Sequence, residues 1–268
     1  MPDLSDIPFY KFSATGNDFI LIDNRHNVIP KGSVRLFRQL CERRVSVGAD
    51  GVLLVEKSAE HDFRMRYFNA DGYESEMCGN GARSVAYYAS MSKITGPRMS
   101  FAVGDDHFEA EVLANDVKLT MPWPKGIELN LGIVEEEYLI EAGYLNCGVP
   151  HFVVFSKSVA ELNVETLGRK YRCHPRFRPR GTNVDFVEFE AYHRIRVRTF
   201  ERGVERETLS CGTGAVASAY MSSLHEKTTL PTEVVTSGGT LQVAANEGAN
   251  RIYLSGPVKL VYEGTLVA

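Results

Sequence analysis

Short strand-like patterns dominate the chain. Arg64-Met65-Arg66-Tyr67-Phe68 and Arg194-Ile195-Arg196-Val197-Arg198 alternate polar and apolar side chains, the pattern of a strand with one wet face. Phe19–Asp23 and Val52–Glu56 are mostly apolar runs of strand length. Ser33–Arg43 instead places Val34, Leu36, Phe37, Leu40 and Cys41 at helical spacing, and Val134–Ala142 is predicted as its counterpart. Val103–Met121 and Glu233–Tyr262 read as strands joined by turns at Asn115-Asp116 and Asn246-Glu247-Gly248. Two Ala-rich runs are apolar nearly all round, which predicts buried helices. Many strands and few helices in each half imply an α+β fold, a curved sheet or barrel around one central helix.

The Ala-rich runs are copies of one motif. MCGNGARSVAYYASM (Met77–Met91) and SCGTGAVASAYMSSL (Ser210–Leu224) match without a gap at seven of fifteen positions. Further anchors repeat at offsets of 132 to 135 residues: Gly16-Asn17-Asp18-Phe19 with Gly148-Val149-Pro150-His151, Gly48-Ala49-Asp50 with Gly181-Thr182-Asn183, Arg66-Tyr67-Phe68-Asn69 with Arg198-Thr199-Phe200-Glu201, and Leu119-Thr120-Met121-Pro122 with Leu254-Ser255-Gly256-Pro257. Five anchors in one order mark a duplication. The chain is read as two pseudo-symmetric domains, 1–124 and 125–268, divided near the Pro-rich Met121–Gly126. The period is far too long for a solenoid.

Each copy sets a cysteine before a glycine-rich turn and a helix. A thiol must lose its proton to act as a base, and its reference pKa is about 8.5. A helix N-terminus favours the thiolate and offers unpaired N–H groups to an anion such as a carboxylate. The glycines at 79, 81, 212 and 214 let the backbone approach a ligand closely. If a pseudo-twofold brings both helix starts to one cleft, an amino acid's Cα lies between two sulfurs. One thiolate removes the α-proton, the opposite thiol returns one to the other face, and the N–H groups stabilise the enolate-like carboxylate. Buried free cysteines more often act as small hydrophobes, and Cys41, Cys173 and Cys147 are read that way. Two matched copies favour chemistry for Cys78 and Cys211.

Composition excludes several other classes. The 268 residues carry a net charge of −4, which leaves no electrostatic footprint for nucleic acid. The basic run Arg169–Arg180 reads as a solvated face rather than a polyanion site. The N-terminal MPDLSDIPFY lacks the layout of a signal peptide, and no apolar run approaches the roughly 20 residues that span a bilayer. Five cysteines without CxxC spacing argue against a disulfide framework and for a reducing, cytoplasmic setting.

The stretches SATGNDFILID, FNADGYESEMCGNGAR, GTNVDF and FERGVERETLSCGTGA resemble diaminopimelate epimerases, over Lys11 to about Gly264. The resemblance implies two similar domains meeting at a cleft, with no cofactor and no metal. It implies interconversion of LL- and meso-diaminopimelate, on the route to lysine and peptidoglycan, and suggests a homodimer. Carried over by motif, Cys78 is the base towards the LL isomer and Cys211 towards the meso isomer. Gly79, Asn80, Gly212 and Thr213 hold the reacting carboxylate. Asn17, Asn69, Asn183, Glu201 and Arg202 contact the substrate, Arg202 with a planar fork suited to the distal carboxylate. His151 supports the reacting centre. Many members of that family have GNPH where this chain has Gly148-Val149-Pro150-His151, which removes one polar group from the implied distal pocket.

Other readings use the same residues differently. A cofactor-independent racemase of another amino acid would share the thiol pair and differ at Asn69, Asn183, Glu201 and Arg202. A non-enzymatic protein closing on a zwitterion does not need both cysteines. No lysine lies in a context that marks a pyridoxal phosphate site. A zinc site of Cys78, Cys211 and His151 would occupy the sulfurs and leave the glycine turns unexplained.

Overall fold

Strands form where the sequence alternates or runs apolar. The computed structural model describes residues 6–75, 77–137 and 139–267, so Glu76 of the first cysteine-bearing stretch lies outside them. Contacts divide the chain into two units: Met1–Leu119 with Gly256–Ala268, and Thr120–Ser255.

In the first unit, β1 (Pro8–Ala14) turns at Thr15 and Gly16, both at positive φ, into the antiparallel β2 (Asn17–Asp23). A crossover carrying α1 (Val34–Cys41) leads to β3 (Gly51–Glu56), parallel to β2. β4 (Phe63–Asn69) returns antiparallel and meets the short β5 (Glu74–Ser75). The second crossover carries α2 (Gly79–Met91) to β6 (Arg98–Val103), parallel to β4. An antiparallel meander of β6, β7 (Asp106–Leu113) and β8 (Asp116–Met121) follows.

The sheet curls around α2, which touches β1, β2, β3, β4 and β7. Ala82, Val85, Ala86 and Ala89 are wholly buried, and their small side chains let strands approach on every side. On the outer face, Phe37, Leu40 and Cys41 of α1 join a cluster with Val52 and Leu54. Leu53 points to the helix side, where it borders Gly81. β3 is therefore covered on both faces, which is why its sequence runs apolar instead of alternating.

The second unit repeats the plan. β9 (Lys125–Glu128) pairs with β10 (Leu139–Asn146), which pairs antiparallel with β11 (Pro150–Ser156). α3 (Val164–Arg172) crosses over to β12 (Asn183–Ala191), parallel to β11, and β13 (Arg194–Glu201) returns antiparallel. β14 (Arg206–Thr208) lies on β13, and α4 (Gly212–Leu224) crosses to β15 (Thr232–Thr236), parallel to β13. β16 (Gly239–Asn246) and β17 (Arg251–Pro257) complete the meander. The predicted α+β class and repeated helix-in-sheet plan are both observed.

Two expectations are corrected. First, the units do not run end to end as 1–124 and 125–268. The last strand, β18 (Lys259–Thr265), pairs with β1 from Pro8↔Thr265 to Ser13↔Lys259, filling the edge that β9 fills on β10. Gly256–Ala268 thus belong to the first unit. Second, Val134–Ala142 is not a helix: β10 begins at Leu139. Tyr138 lies outside the described residues. The three consecutive glutamates there would crowd charge on one turn; instead Glu135 and Glu136 each pair with Lys170 at 2.8 Å. The helix is α3, capped by Asn163 Oδ1, which accepts from Thr166 N at 3.0 Å, with Arg169, Lys170 and Arg172 in its last turn. Arg172 pairs with Glu205 at 2.7 Å and Arg176 with Glu128, so much of the basic run is neutralised within the unit.

α3 lies so close to β13 that a Cβ on Gly168 would sit 2.3 Å from Phe200 Cβ. Gly168→Ala is expected to destabilise the protein by about 1–3 kcal/mol through overpacking. Urea denaturation checks this, and an unchanged midpoint would show that the helix shifts freely.

Candidate active site

Both cysteines cap the helix that their unit encloses. Cys78 precedes α2 at φ −115°, ψ 115°, and Cys211 precedes α4 at φ −115°, ψ 116°. Each cap carbonyl accepts the first helical bond, from Ala82 N at 2.7 Å and Ala215 N at 2.9 Å. Neither helix start has a side-chain cap hydrogen bond. The first-turn N–H groups have no intrahelical acceptor, which leaves a local positive potential at each sulfur. Gly79 and Asn80, and Gly212 and Thr213, are the first two helical residues of their units.

In the first unit, Asn17 begins β2 and Asn69 ends β4. The pairings Phe19↔Gly51 and Gly51↔Asn69 put them at one end of the sheet. Asn17 Nδ2 donates to Asp50 Oδ2 at 2.6 Å, which fixes the amide with Oδ1 turned to the helix start. That oxygen accepts from Cys78 Sγ at 3.8 Å and from Asn80 Nδ2 at 3.3 Å. Asn80 Oδ1 in turn accepts from Arg83 Nη2 at 2.8 Å and from Thr15 Oγ1 at 3.3 Å. Cys78, Asn17 and Asn80 are thus brought together, with Gly79 beside them.

In the second unit, Asn183 begins β12 and Glu201 ends β13. Asn183 Oδ1 accepts from Arg202 N at 2.7 Å, and Glu201 Oε2 accepts from Thr208 Oγ1 at 3.0 Å. Thr213 Oγ1 is 3.5 Å from Cys211 Sγ. His151, on β11, is fully buried; its Nδ1 lies 2.6 Å from Asp185 Oδ2 and its Nε2 lies 3.4 Å from Asn183 Nδ2. Burial disfavours the imidazolium, but Asp185 and then Cys147 more than offset it, so the His151 pKa rises. Thr199 Oγ1 donates to Asp185 Oδ1 at 2.7 Å, and Cys147 Sγ donates to Thr213 O at 3.3 Å.

Burial pushes the Cys211 thiol well above the usual thiol range, and Glu201 and Asp185 push the same way. The Thr213 hydroxyl and the Gly214 N–H act against them. Gly214 has no substitute in this arrangement: a Cβ there would lie 2.4 Å from Asp185 Oδ1.

The motif reading passed over several neighbours of these residues. Thr15, Asp50 and Arg83 in the first unit, and Cys147, Asp185 and Thr199 in the second, share the hydrogen-bond networks just described. Arg83 and Asp185 lie inside quoted stretches, CGNGAR and GTNVDF, so the sequence held their positions but not their contacts.

A family model described as diaminopimelate epimerase matches residues 9–128 and 143–261. The diaminopimelate epimerase of Chlorobaculum tepidum is 42% identical, over 95% of this chain and 99% of that protein. That of Flavobacterium psychrophilum is 37% identical, over 96% and 99%. Among solved structures, a Bacillus anthracis phenazine biosynthesis protein of the PhzF family superposes with a TM-score of 0.75 at 18% identity, covering 98% of this chain and 99% of that one, a likeness of fold.

The Glu201 carboxylate is one cause of the high Cys211 pKa. Glu201→Gln is therefore expected to lower the pH midpoint of Cys211 alkylation by about one unit or less. The profile is followed by peptide mass spectrometry; a midpoint that rises or stays fixed removes the carboxylate from the account.

Proposed function

Because the chain belongs to the diaminopimelate epimerase family, a family of isomerases, we propose that it interconverts LL- and meso-2,6-diaminopimelate by two-base proton transfer at one Cα, without a cofactor. The observation that carries this reading is the repeated thiol at the cap of a buried helix, with matching backbone angles in both units. In the LL direction the Cys78 thiolate takes the α-proton and the Cys211 thiol donates to the opposite face. In the meso direction they exchange roles, as reversibility requires. Removal of the proton moves charge into the α-carboxylate. The first-turn N–H groups at Gly79 and Asn80, and at Gly212 and Thr213, are the donors assigned to that charge.

Asn17, Asn69, Asn183, Glu201 and Arg202 are assigned to the substrate, Glu201 and Arg202 to the distal ammonium and carboxylate. Asn17 and Asn183 support this, because each amide has one side held by its own unit: Asn17 by Asp50, and Asn183 by Arg202 N. An amide fixed in this way recognises without reorganising. His151 and Asp185 form a buried pair behind the second helix start and act as support. The product serves lysine and peptidoglycan precursor synthesis, in the cytoplasm. The five free cysteines fit a reducing compartment. The homodimer suggested by the resemblance completes the proposal.

Val149 favours one alternative, a racemase acting on another amino acid with the same thiols. Val149 is half-buried next to Gly148, at the position where the resemblance implies the asparagine of GNPH.

Incubation of the reduced protein with LL-diaminopimelate in D2O, followed by NMR of the Cα–H signals, is expected to show exchange and inversion at one centre. Exchange only with lysine, glutamate, proline or histidine would move the substrate and keep the thiols. Cys78→Ala and Cys211→Ala are each expected to lower epimerisation by a factor of about 10² or more with the fold intact. Near-normal turnover in either variant refutes the two-base scheme. Val149→Asn is expected to raise kcat/KM for diaminopimelate relative to other amino acids; no change would remove Val149 from the distal pocket.

A further inference from the structure

Arg83 is the largest fully buried side chain among the described residues, and the two-thiol scheme gives it no task. Resting on that scheme, we propose that Arg83 is a positioning residue whose guanidinium is the internal counter-charge of the Cys78 half-site, biasing that half towards negative charge while Cys211 keeps its proton.

Among the described residues, the hydrogen-bond partners of Arg83 are neutral. Nη2 donates to Asn80 Oδ1 at 2.8 Å and Thr15 Oγ1 at 3.1 Å, and Nη1 donates to Gly79 O at 3.4 Å. Nε is buried with no hydrogen-bond partner among the described residues. Burial draws the Arg83 pKa down to about 10, which leaves it charged at neutral pH. A buried cation without an ion-pair partner is costly, and an anion arriving beside it relieves that cost. Cys78 is within its electrostatic reach, and so is Asp116, which is exposed at the start of β8.

Among the described residues, the acidic side chains nearest this helix start are held in ion pairs. Asp18 pairs with Lys11 at 2.7 Å and with Arg43, and Arg43 also holds Asp50 at 3.0 Å. Elsewhere on the strands around α2, Asp23 pairs with Arg25, and Glu56 and Glu74 with Arg66. Asn17 Oδ1 works against ionisation, since it accepts from the neutral thiol at 3.8 Å. A long thiol hydrogen bond is a smaller effect than a full charge in a dry interior.

The second unit inverts the pattern. By the motif alignment Arg83 corresponds to Val216, which is fully buried. On the neighbouring strand the exchange runs the other way: Gly81 borders Leu53, whereas Gly214 borders Asp185 and Thr199. The groups acting on Cys211 are Glu201 and Asp185, and Asp185 is paired with His151. Among the described residues, the first thiol thus has a buried cation within electrostatic reach, and the second has Glu201 and Asp185 acting on it.

The test is alkylation of the substrate-free, full-length protein with iodoacetamide across pH, with Cys78 and Cys211 followed separately by peptide mass spectrometry. In the wild type, Cys78 is expected to have the lower midpoint; the reverse order overturns the proposal whatever the variants do. Arg83→Met is expected to raise the Cys78 midpoint by on the order of one pH unit and leave Cys211 in place. Arg83→Lys, which keeps the charge and loses the fork, is expected to restore most of that shift. A folded Arg83→Met protein with an unmoved Cys78 profile, or equal shifts at both thiols, overturns the proposal. If Arg83→Met does not fold, Arg83→Lys and the wild-type order decide: a Cys78 midpoint in the lysine variant close to the wild type supports it, and one raised by a full unit overturns it. None of these readings needs turnover of diaminopimelate. Failure of the substrate assignment would appear in the D2O exchange experiment and leave the thiol titrations intact.

Discussion

A helix that starts inside a curved sheet leaves its first N–H groups without backbone acceptors, and each unit is arranged around that constraint. The cost is the same for α2 and α4, because both begin after a cysteine in the same extended conformation and without a side-chain cap. Small residues follow in both helices, so strands can surround them. The first-turn donors are then held in a fixed direction within a low-dielectric interior, where a small anion or a developing charge is worth more than in water. Glycine next to the cysteine adds no side chain at that end. A serine or aspartate cap would have made a more stable helix.

Around this shared core the two units differ in how charge is placed. The first unit carries a guanidinium on the helix and apolar Leu53 on the adjacent strand. The second carries Val216 on the helix and Asp185 on the strand, locked by His151 and Thr199. Duplication supplied two similar frames, and substitution within them placed different charged side chains around each helix start. Under the proposed two-base scheme an acid and a base need different protonation states from the same side chain, which such differences serve.

Much of the fold was readable in the chain. Alternation located β4 and β13, continuous apolar runs located β2 and β3, and the all-round apolar pattern located α2 and α4. Apolar spacing alone points to a helix at Val134–Ala142, whereas Glu135-Glu136-Glu137 oppose one there, and the N-cap at Asn163 with the acidic-to-basic gradient of α3 marks the helix in the sequence. Of the candidate site, the cysteines and the residues following them were legible because they are contiguous and repeated. Thr15, Asp50 and Arg83 were not, because their importance lies in contacts over separations that carry no periodicity.

What the sequence determined by itself is local and repetitive: the duplication, the strand and helix identities of most elements, and two thiols at helix starts. These follow from side-chain period and backbone preference, which act over a few residues. Tertiary structure alone decided that β18 returns to β1, that Arg83 is sealed against Gly79, Asn80 and Thr15 with no carboxylate hydrogen-bonded to it among the described residues, and that Asp185 stands beneath the second helix start. Those outcomes depend on which strands become neighbours. Desolvation and hydrogen-bond geometry, which set the character of each thiol, exist only once the interior has closed around it.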